Sequence, residues 1–168
     1  MMDQPASEPV EITLSRLLLP TAPIRVAAAE SCTGGGVAAR IVSVAGCSEY
    51  MMGSIVSYSN AAKHRLLGVP EETLNTVGAV SPECAEAMAT GAAWVFEADV
   101  AVSTTGIAGP GGATARKPVG LVYFGLATPA GVTSYEHHFP GDRAAVIAAA
   151  TETALQLLLR GVRETLAR

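Results

Sequence analysis

A compact, largely apolar run, Ile24 to Ala29, passes without a break into Glu30-Ser31-Cys32-Thr33-Gly34-Gly35-Gly36, and the helical run Val37 to Val44 follows. A short apolar run before three glycines and a helical pattern reads as a buried strand, a tight turn and a helix. That unit commits the chain to the α/β class. Little side-chain bulk stands at the turn, and backbone N–H groups at such a helix start attract anions. A tight turn for close helix packing explains the same glycines. The spacing is neither Gly-x-x-x-x-Gly-Lys-Ser/Thr nor Gly-x-Gly-x-x-Gly.

The rest of the chain repeats the alternation. A loose tail, 1–8, precedes a short helix entered at Pro9, with Ile12, Leu14, Leu17 and Leu18 on its apolar face and Pro20 and Pro23 ending it. From Gly46 to Lys63 a Gly-x-Ser turn, an apolar run Met51 to Val56, a Tyr-Ser-Asn cluster and a lysine read as loop, strand, turn and helix start. That helix should stop at Gly68, and a further turn from Pro70 near Gly78. Ser81-Pro82-Glu83 is a strong helix start, with the helix running to about Phe96. Asp99 to Thr104 is a central strand, and 119–127 with 132–139 a hairpin. A long helix from about Asp142 to Ala167 carries Val146, Ala150, Thr153, Leu157 and Gly161 on one face. The order predicts a single domain, a three-layer α/β/α sandwich whose mixed sheet is mostly parallel with one reversed strand.

Composition narrows the function. At 168 residues, 49% hydrophobic and 15% charged, the chain is a packed globular domain. A net charge of −4 argues against a nucleic-acid partner, which calls for a basic excess. Three cysteines without Cys-x-x-Cys spacing fit a reduced intracellular protein and no zinc site. No secretory signal is visible, and the longest charge-free stretch, Pro118 to Tyr135, is broken by glycines and Pro129. A cytoplasmic location and no membrane partner are expected. His137-His138 sits in a strand, where neighbours face opposite ways, so the pair cannot chelate one metal. No metal or cofactor is expected.

Three segments begin just after predicted strands: Ser31 to Gly36, Tyr58 to Lys63 and Thr105 to Gly112. Sites in such sheets gather outside the strand ends, so the three are read as one site. Ser48, Tyr58 and Lys63 are the candidate catalytic groups, a neutral lysine deprotonating a serine. For Lys63 a surface lysine is the commoner alternative, and to act as a base its pKa must fall from about 10.4 toward 7 through burial. For Tyr58 the alternative is a capping aromatic at a strand end. Arg143, a cation in the first turn of a helix, opposes the dipole unless an anion or a neighbouring acid joins it. Arg116 and Lys117 read equally well as a solvated rim. Cys32 and Cys47 flank the two serines as possible nucleophiles, with small buried thiols the plainer reading.

With these residues laid out, the chain resembles the family of the CinA C-terminal domain, the nicotinamide mononucleotide deamidases. The resemblance rests on Ala29-Glu30-Ser31-Cys32-Thr33-Gly34-Gly35, Tyr58-Ser59-Asn60 with Lys63, Gly78-Ala79-Val80-Ser81 and Thr105-Gly106-Ile107-Ala108-Gly109-Pro110-Gly111-Gly112. Lys117-Pro118-Val119-Gly120 and Phe139-Pro140-Gly141-Asp142-Arg143 complete it. It implies an anticodon-binding-domain-like sandwich, usually a homo-oligomer. The implied reaction hydrolyses the carboxamide of nicotinamide mononucleotide to nicotinate mononucleotide and ammonia in pyridine nucleotide salvage. By analogy Ser48 is the nucleophile, Lys63 its base and Tyr58 a site residue. Ser31, Thr33, Gly34, Gly35, Thr105, Gly106 and Arg143 contact substrate, with Ser31 a second candidate hydroxyl. The larger N-terminal domain of full-length members is expected to be absent, and its pyrophosphatase activity with it. Cys47 stands where a small residue such as Ser is common, and Met51 and Met52 replace bulkier aromatics.

The rival readings are a non-catalytic nucleotide-binding or interaction module linked to competence or DNA damage, an amidase for another small amide, and a cysteine hydrolase.

Overall fold

The structure is a computed structural model that describes residues 8–20 and 24–168. The expected tail and the helix stop at Pro23 fall outside those residues, apart from Glu8. Five strands, β1 Val26–Glu30, β2 Met51–Val56, β3 Val100–Gly106, β4 Leu121–Thr128 and β5 Gly131–His138, form one sheet in the order β2-β1-β3-β4-β5. β1 pairs in parallel with β2 and β3, while β4 is antiparallel to both β3 and β5. Only β4 is reversed, as the predicted hairpin required.

Among the described residues six helices cover the two faces: α1 Val10–Leu18, α2 Gly36–Val42, α3 Asn60–Leu67, α4 Glu71–Thr76, α5 Pro82–Val95 and α6 Arg143–Leu166. The faces differ in bulk because side chains alternate along each strand. Val26, Val100, Val102, Val122, Phe124 and Leu126 point to α1, α2 and α6, where Leu14, Ile41, Leu155 and Leu158 complete a bulky core. Ala27, Ala29, Ala101 and Ala127 point to the other side, under Leu67, Met88, Ala89 and Ala92. Those alanines let α5 lie close to the sheet.

Helix ends follow their sequence signals. Ser81 Oγ accepts from Cys84 N, Ser59 Oγ from Ala62 N and Asp142 Oδ1 from Ala145 N, and Gly68 ends α3 at φ +67°. The buried face of α6 is wider than the expected stripe: Thr151, Ala154, Leu158 and Val162 join Val146, Ala150 and Leu157, whereas Thr153 is half-buried. A helix on the middle of a sheet needs a broad apolar face. By length and composition α6 resembles a membrane span, but more than half of its apolar window is buried in this core.

Because β1, β2 and β3 run in parallel, the turns that follow them open at one end of the sheet. β1 connects through α2 to β2 on one side, and the chain returns through α3, α4 and α5 to β3 on the other side of β1. The connections diverge at β1 and β3, the topological position where α/β sheets hold ligands.

Candidate active site

Ser31 follows β1 directly, and its N–H donates to the carbonyl of Thr104 in β3 at 3.0 Å. Lys63 lies one turn into α3, which is separated from β2 by three residues. Its Nζ donates to Ser31 Oγ at 2.9 Å, to the Ser57 carbonyl at 2.7 Å and, more weakly, to the Tyr58 carbonyl at 3.4 Å. Lys63 is 1% exposed, and among the described residues no carboxylate lies within ion-pair distance of it. All three acceptors are neutral. Burial therefore holds its pKa below the ordinary lysine value, opposed only by the nearby Cys84 and Cys32 thiols. An amine with a reduced proton affinity, bonded to a serine hydroxyl, has the chemistry that a base–nucleophile pair requires.

Ser48 is not part of that pair. It sits exposed in a single 3₁₀ turn, Cys47–Glu49, before β2, while Lys63 follows the far end of the strand. Six residues of strand separate the two ends by roughly 20 Å. The expected Ser48–Lys63 pairing is corrected to Ser31–Lys63. The turn at residue 46–48 lies at the wrong end of a parallel strand, a fact that the hydroxyl and amine content of the segment could not reveal.

The glycine turn is also occupied differently from expectation. Gly34 and Gly35 adopt φ of +61° and +102°, which favours glycine at both. The donors this turn presents point inward to Glu30, the last residue of β1, which is fully buried. Its Oε2 accepts from Thr33 Oγ1 at 2.7 Å and from the N–H groups of Gly35 and Val37 at 3.0 Å each. Its Oε1 accepts from Ala38 N at 2.9 Å and Ser54 Oγ at 3.1 Å. The anion anticipated at this helix start is the chain's own carboxylate. Thr33 and Gly35 serve Glu30, and Gly34 N closes the turn on the Ser31 carbonyl at 3.1 Å. The sequence did carry a signal for this: an acid ending an otherwise buried strand, separated by three residues from a triple glycine, must find donors locally.

Two further expected contacts turn out to be architectural. Thr105 is buried, and its hydroxyl donates to the Ala79 carbonyl at 2.7 Å, tying β3 to the turn before α5. Gly106 is a packing glycine, because a Cβ there would stand 2.7 Å from the Leu121 carbonyl oxygen. Lys117 likewise donates to the Val77 carbonyl at 2.6 Å, while Arg116 is exposed.

Arg143 and Tyr58 meet. Tyr58 is 60% exposed, and its phenol accepts from Arg143 Nη2 at 2.9 Å, while Arg143 Nη1 donates to the Gly109 carbonyl at 2.8 Å. Among the described residues no acid pairs with Arg143, so the neighbouring-acid explanation of this cation does not apply. Beside it lies an open cleft of about 740 Å³ lined by Ala108, Gly109, Pro110, Val119 and Ile147 together with the start of α6. The cleft does not itself include Ser31 or Lys63. Tyr58 links the two, its carbonyl toward Lys63 and its ring hydroxyl toward Arg143.

The thiols are poor nucleophiles here. Cys32 and Cys84 are buried, and desolvation pushes each up to about 11. Cys47 is half-buried beside Ser48, away from Lys63. His137 stacks on Phe139, and His138 meets the Glu136 carboxylate at 2.8 Å, so neighbouring histidines do go separate ways. No cluster of metal-ligating side chains occurs among the described residues.

The CinA C-terminal domain family model matches residues 10–162. A CinA-like protein of Geobacter metallireducens is 45% identical over 153 residues, 91% of this chain and 37% of its own length. A CinA-like protein of Syntrophomonas wolfei is 50% identical over 139 residues, 83% of this chain and 33% of its own. The chain thus spans about a third of the curated relatives it matches. Among solved structures, a CinA superfamily protein of Klebsiella pneumoniae 700603 superposes with a TM-score of 0.86 at 32% identity, covering 92% of this chain and 96% of that one. The competence/damage inducible protein CihA of Agrobacterium tumefaciens gives 0.85 at 39% identity, covering 95% and 98%. With nearly the whole sheet and both helical layers matched, the chain belongs to the CinA C-terminal domain family.

Proposed function

We propose that this domain is a Ser-Lys amidohydrolase that converts nicotinamide mononucleotide to nicotinate mononucleotide and ammonia. The observation that carries the reading is the 2.9 Å contact between Ser31 Oγ and a buried Lys63 Nζ that has no counter-ion among the described residues. Neutral Lys63 takes the Ser31 proton as Oγ bonds to the carboxamide carbon. The C–N bond then breaks as the ammonium returns that proton to the departing nitrogen, releasing ammonia. Water, deprotonated by the same amine, cleaves the acyl ester to the carboxylate and restores the serine. The ring that carries the carboxamide lies against Ser31 in this reading, and the ribose phosphate extends toward the cleft and Arg143, which has no acid partner among the described residues. The glycine turn is excluded as a phosphate cradle because Glu30 fills it.

Ammonia release from the mononucleotide, set against its dephosphorylated nucleoside, tests the substrate. Arg143→Gln should raise KM for the mononucleotide about tenfold or more, the scale of one charge-assisted contact, and barely change KM for the nucleoside. Equal losses on both substrates would remove Arg143 from phosphate binding.

The pH profile tests the base. Only the neutral amine accepts a proton, so kcat/KM should rise with pH through the Lys63 pKa and level off above it. That limb should lie below the ordinary lysine value of 10.5, since burial lowers this pKa. The same desolvation penalises folding at pH values below the folded-state pKa. The penalty is relieved as pH climbs from there toward 10.5, where the unfolded chain still binds the proton and the folded one does not. Cys32 and Cys84, near 11, stay protonated across most of this window. A rate independent of pH from about 6 to 10 would argue against a lysine base.

A further inference from the structure

We infer that Glu30 is a positioning residue for Ser31: its carboxylate is a built-in anion that holds the glycine turn and aims the nucleophile at Lys63. The inference rests on the Ser31–Lys63 reading above. Glu30 touches no reacting atom. It immediately precedes Ser31, it is fully buried, and all five of its partners are donors.

Those donors dictate the polarity of everything nearby. Thr33 Oγ1 must spend its proton on Glu30 Oε2, so at its 2.8 Å contact with Thr104 Oγ1 it can only accept. Thr104 therefore donates to Thr33, and a lone pair of Thr104 Oγ1 faces the Ser31 N–H at 3.4 Å. The Thr104 carbonyl takes the same N–H at 3.0 Å. A chain Glu30–Thr33–Thr104–Ser31 thus fixes the nucleophile's backbone from a single buried charge, each bond polarising the next. The Glu30 carbonyl also accepts from Ser57 N at 2.8 Å, and the Ser57 carbonyl is one of the Lys63 acceptors. That second link is main-chain only and continues the β1–β2 pairing, so the carboxylate itself acts on the Ser31 side of the pair.

The charge arrangement has a second effect. A carboxylate satisfied by five hydrogen-bond donors has no need of Lys63, and no ion pair forms between them. Lys63 keeps only neutral acceptors. A free carboxylate at this depth would instead hold the lysine protonated.

Glu30→Gln is the direct test. An amide retains one acceptor oxygen and sets an NH2 against at least the Ala38 N–H or, turned over, against three donors. Thr33→Val removes the hydroxyl link at nearly constant volume, and Thr33→Ser restores it. Two readouts are used on the full chain: ammonia release from nicotinamide mononucleotide, and the rate at which a fluorophosphonate probe labels Ser31, followed by mass spectrometry. Labelling does not depend on which amide is the substrate. Both rates should fall about 10²-fold in Glu30→Gln, the scale of a misplacement of about 1 Å. Thr33→Val should lose about tenfold and Thr33→Ser less than about threefold, with both assayed well below their own melting temperatures so that each is fully folded. Folded Glu30→Gln or Thr33→Val that labels as fast as the unaltered protein would overturn the inference. If Glu30→Gln does not fold, the Thr33 pair decides. Labelling without ammonia release would refute the substrate and leave the positioning role to the labelling rates. Absence of both in the unaltered protein would sink the Ser31–Lys63 reading and this inference with it.

Discussion

Ser31→Ala is expected to lower ammonia release from nicotinamide mononucleotide by about 10³-fold or more in kcat, while Ser48→Ala keeps nearly the full rate. The contrast follows from placement. Ser31 Oγ lies 2.9 Å from Lys63 Nζ, whereas Ser48 is exposed at the opposite end of β2. Lys63→Met, which fills similar volume without an amine, should cost as much as Ser31→Ala. The double variant should be little worse than either single one, because groups that act as one unit lose their joint contribution when the first is removed. Clearly additive losses would mean that the two side chains act separately. A dead Ser48→Ala beside an active Ser31→Ala would reverse the assignment outright.

The second large effect is on stability. Gly91, in the C-terminal half of α5, faces the end of α3, and a Cβ there would stand 2.0 Å from the Leu67 carbonyl oxygen and 2.7 Å from its carbon. Alanine in a helix gains up to about 1 kcal/mol over glycine by propensity alone. Here that gain loses to overlap with a backbone atom, which cannot rotate away as a side chain would. Overpacking of this kind costs about 1–3 kcal/mol and occasionally more, so Gly91→Ala should lose about 2 kcal/mol net. Because α3 carries Lys63, any relief of the clash by shifting α3 should also reduce activity. Gly111→Ala is the control: nothing lies within 4 Å of its Cβ position, and its stability should stay within about 0.5 kcal/mol. Denaturant unfolding of the two variants gives the comparison, and equal midpoints would refute the close-packing account of α5.

Much of the fold was legible in residue order. Met51 to Val56 is β2 as expected, Gly68 and Ser81 mark helix boundaries where their chemistry places them, and the hairpin forces the one reversed strand. These are local signals: turn residues, caps and apolar runs act over a few neighbours, and the backbone answers them in place. The gathering of segments after β1, β2 and β3 was readable for a related reason, since parallel strands must end together.

Which hydroxyl meets the lysine was not readable, and neither was the fate of the glycine turn. Ser31 and Ser48 each stand near a glycine and a cysteine, and Ser48 is closer to Lys63 along the chain. Only the parallel pairing of β1 with β2 carries Ser31 alongside Lys63 and leaves Ser48 a strand's length away. Likewise, a glycine turn offers the same N–H groups to a phosphate or to a carboxylate of its own chain, and burial of Glu30 beneath Gly35, Val37 and Ala38 decided between them. The sequence by itself determined the elements and the end of the sheet where chemistry can occur, because those depend on local conformation and strand direction. The tertiary structure alone decided which side chains touch, because hydrogen bonds and desolvation act across space over a few ångströms, whatever the distance along the chain.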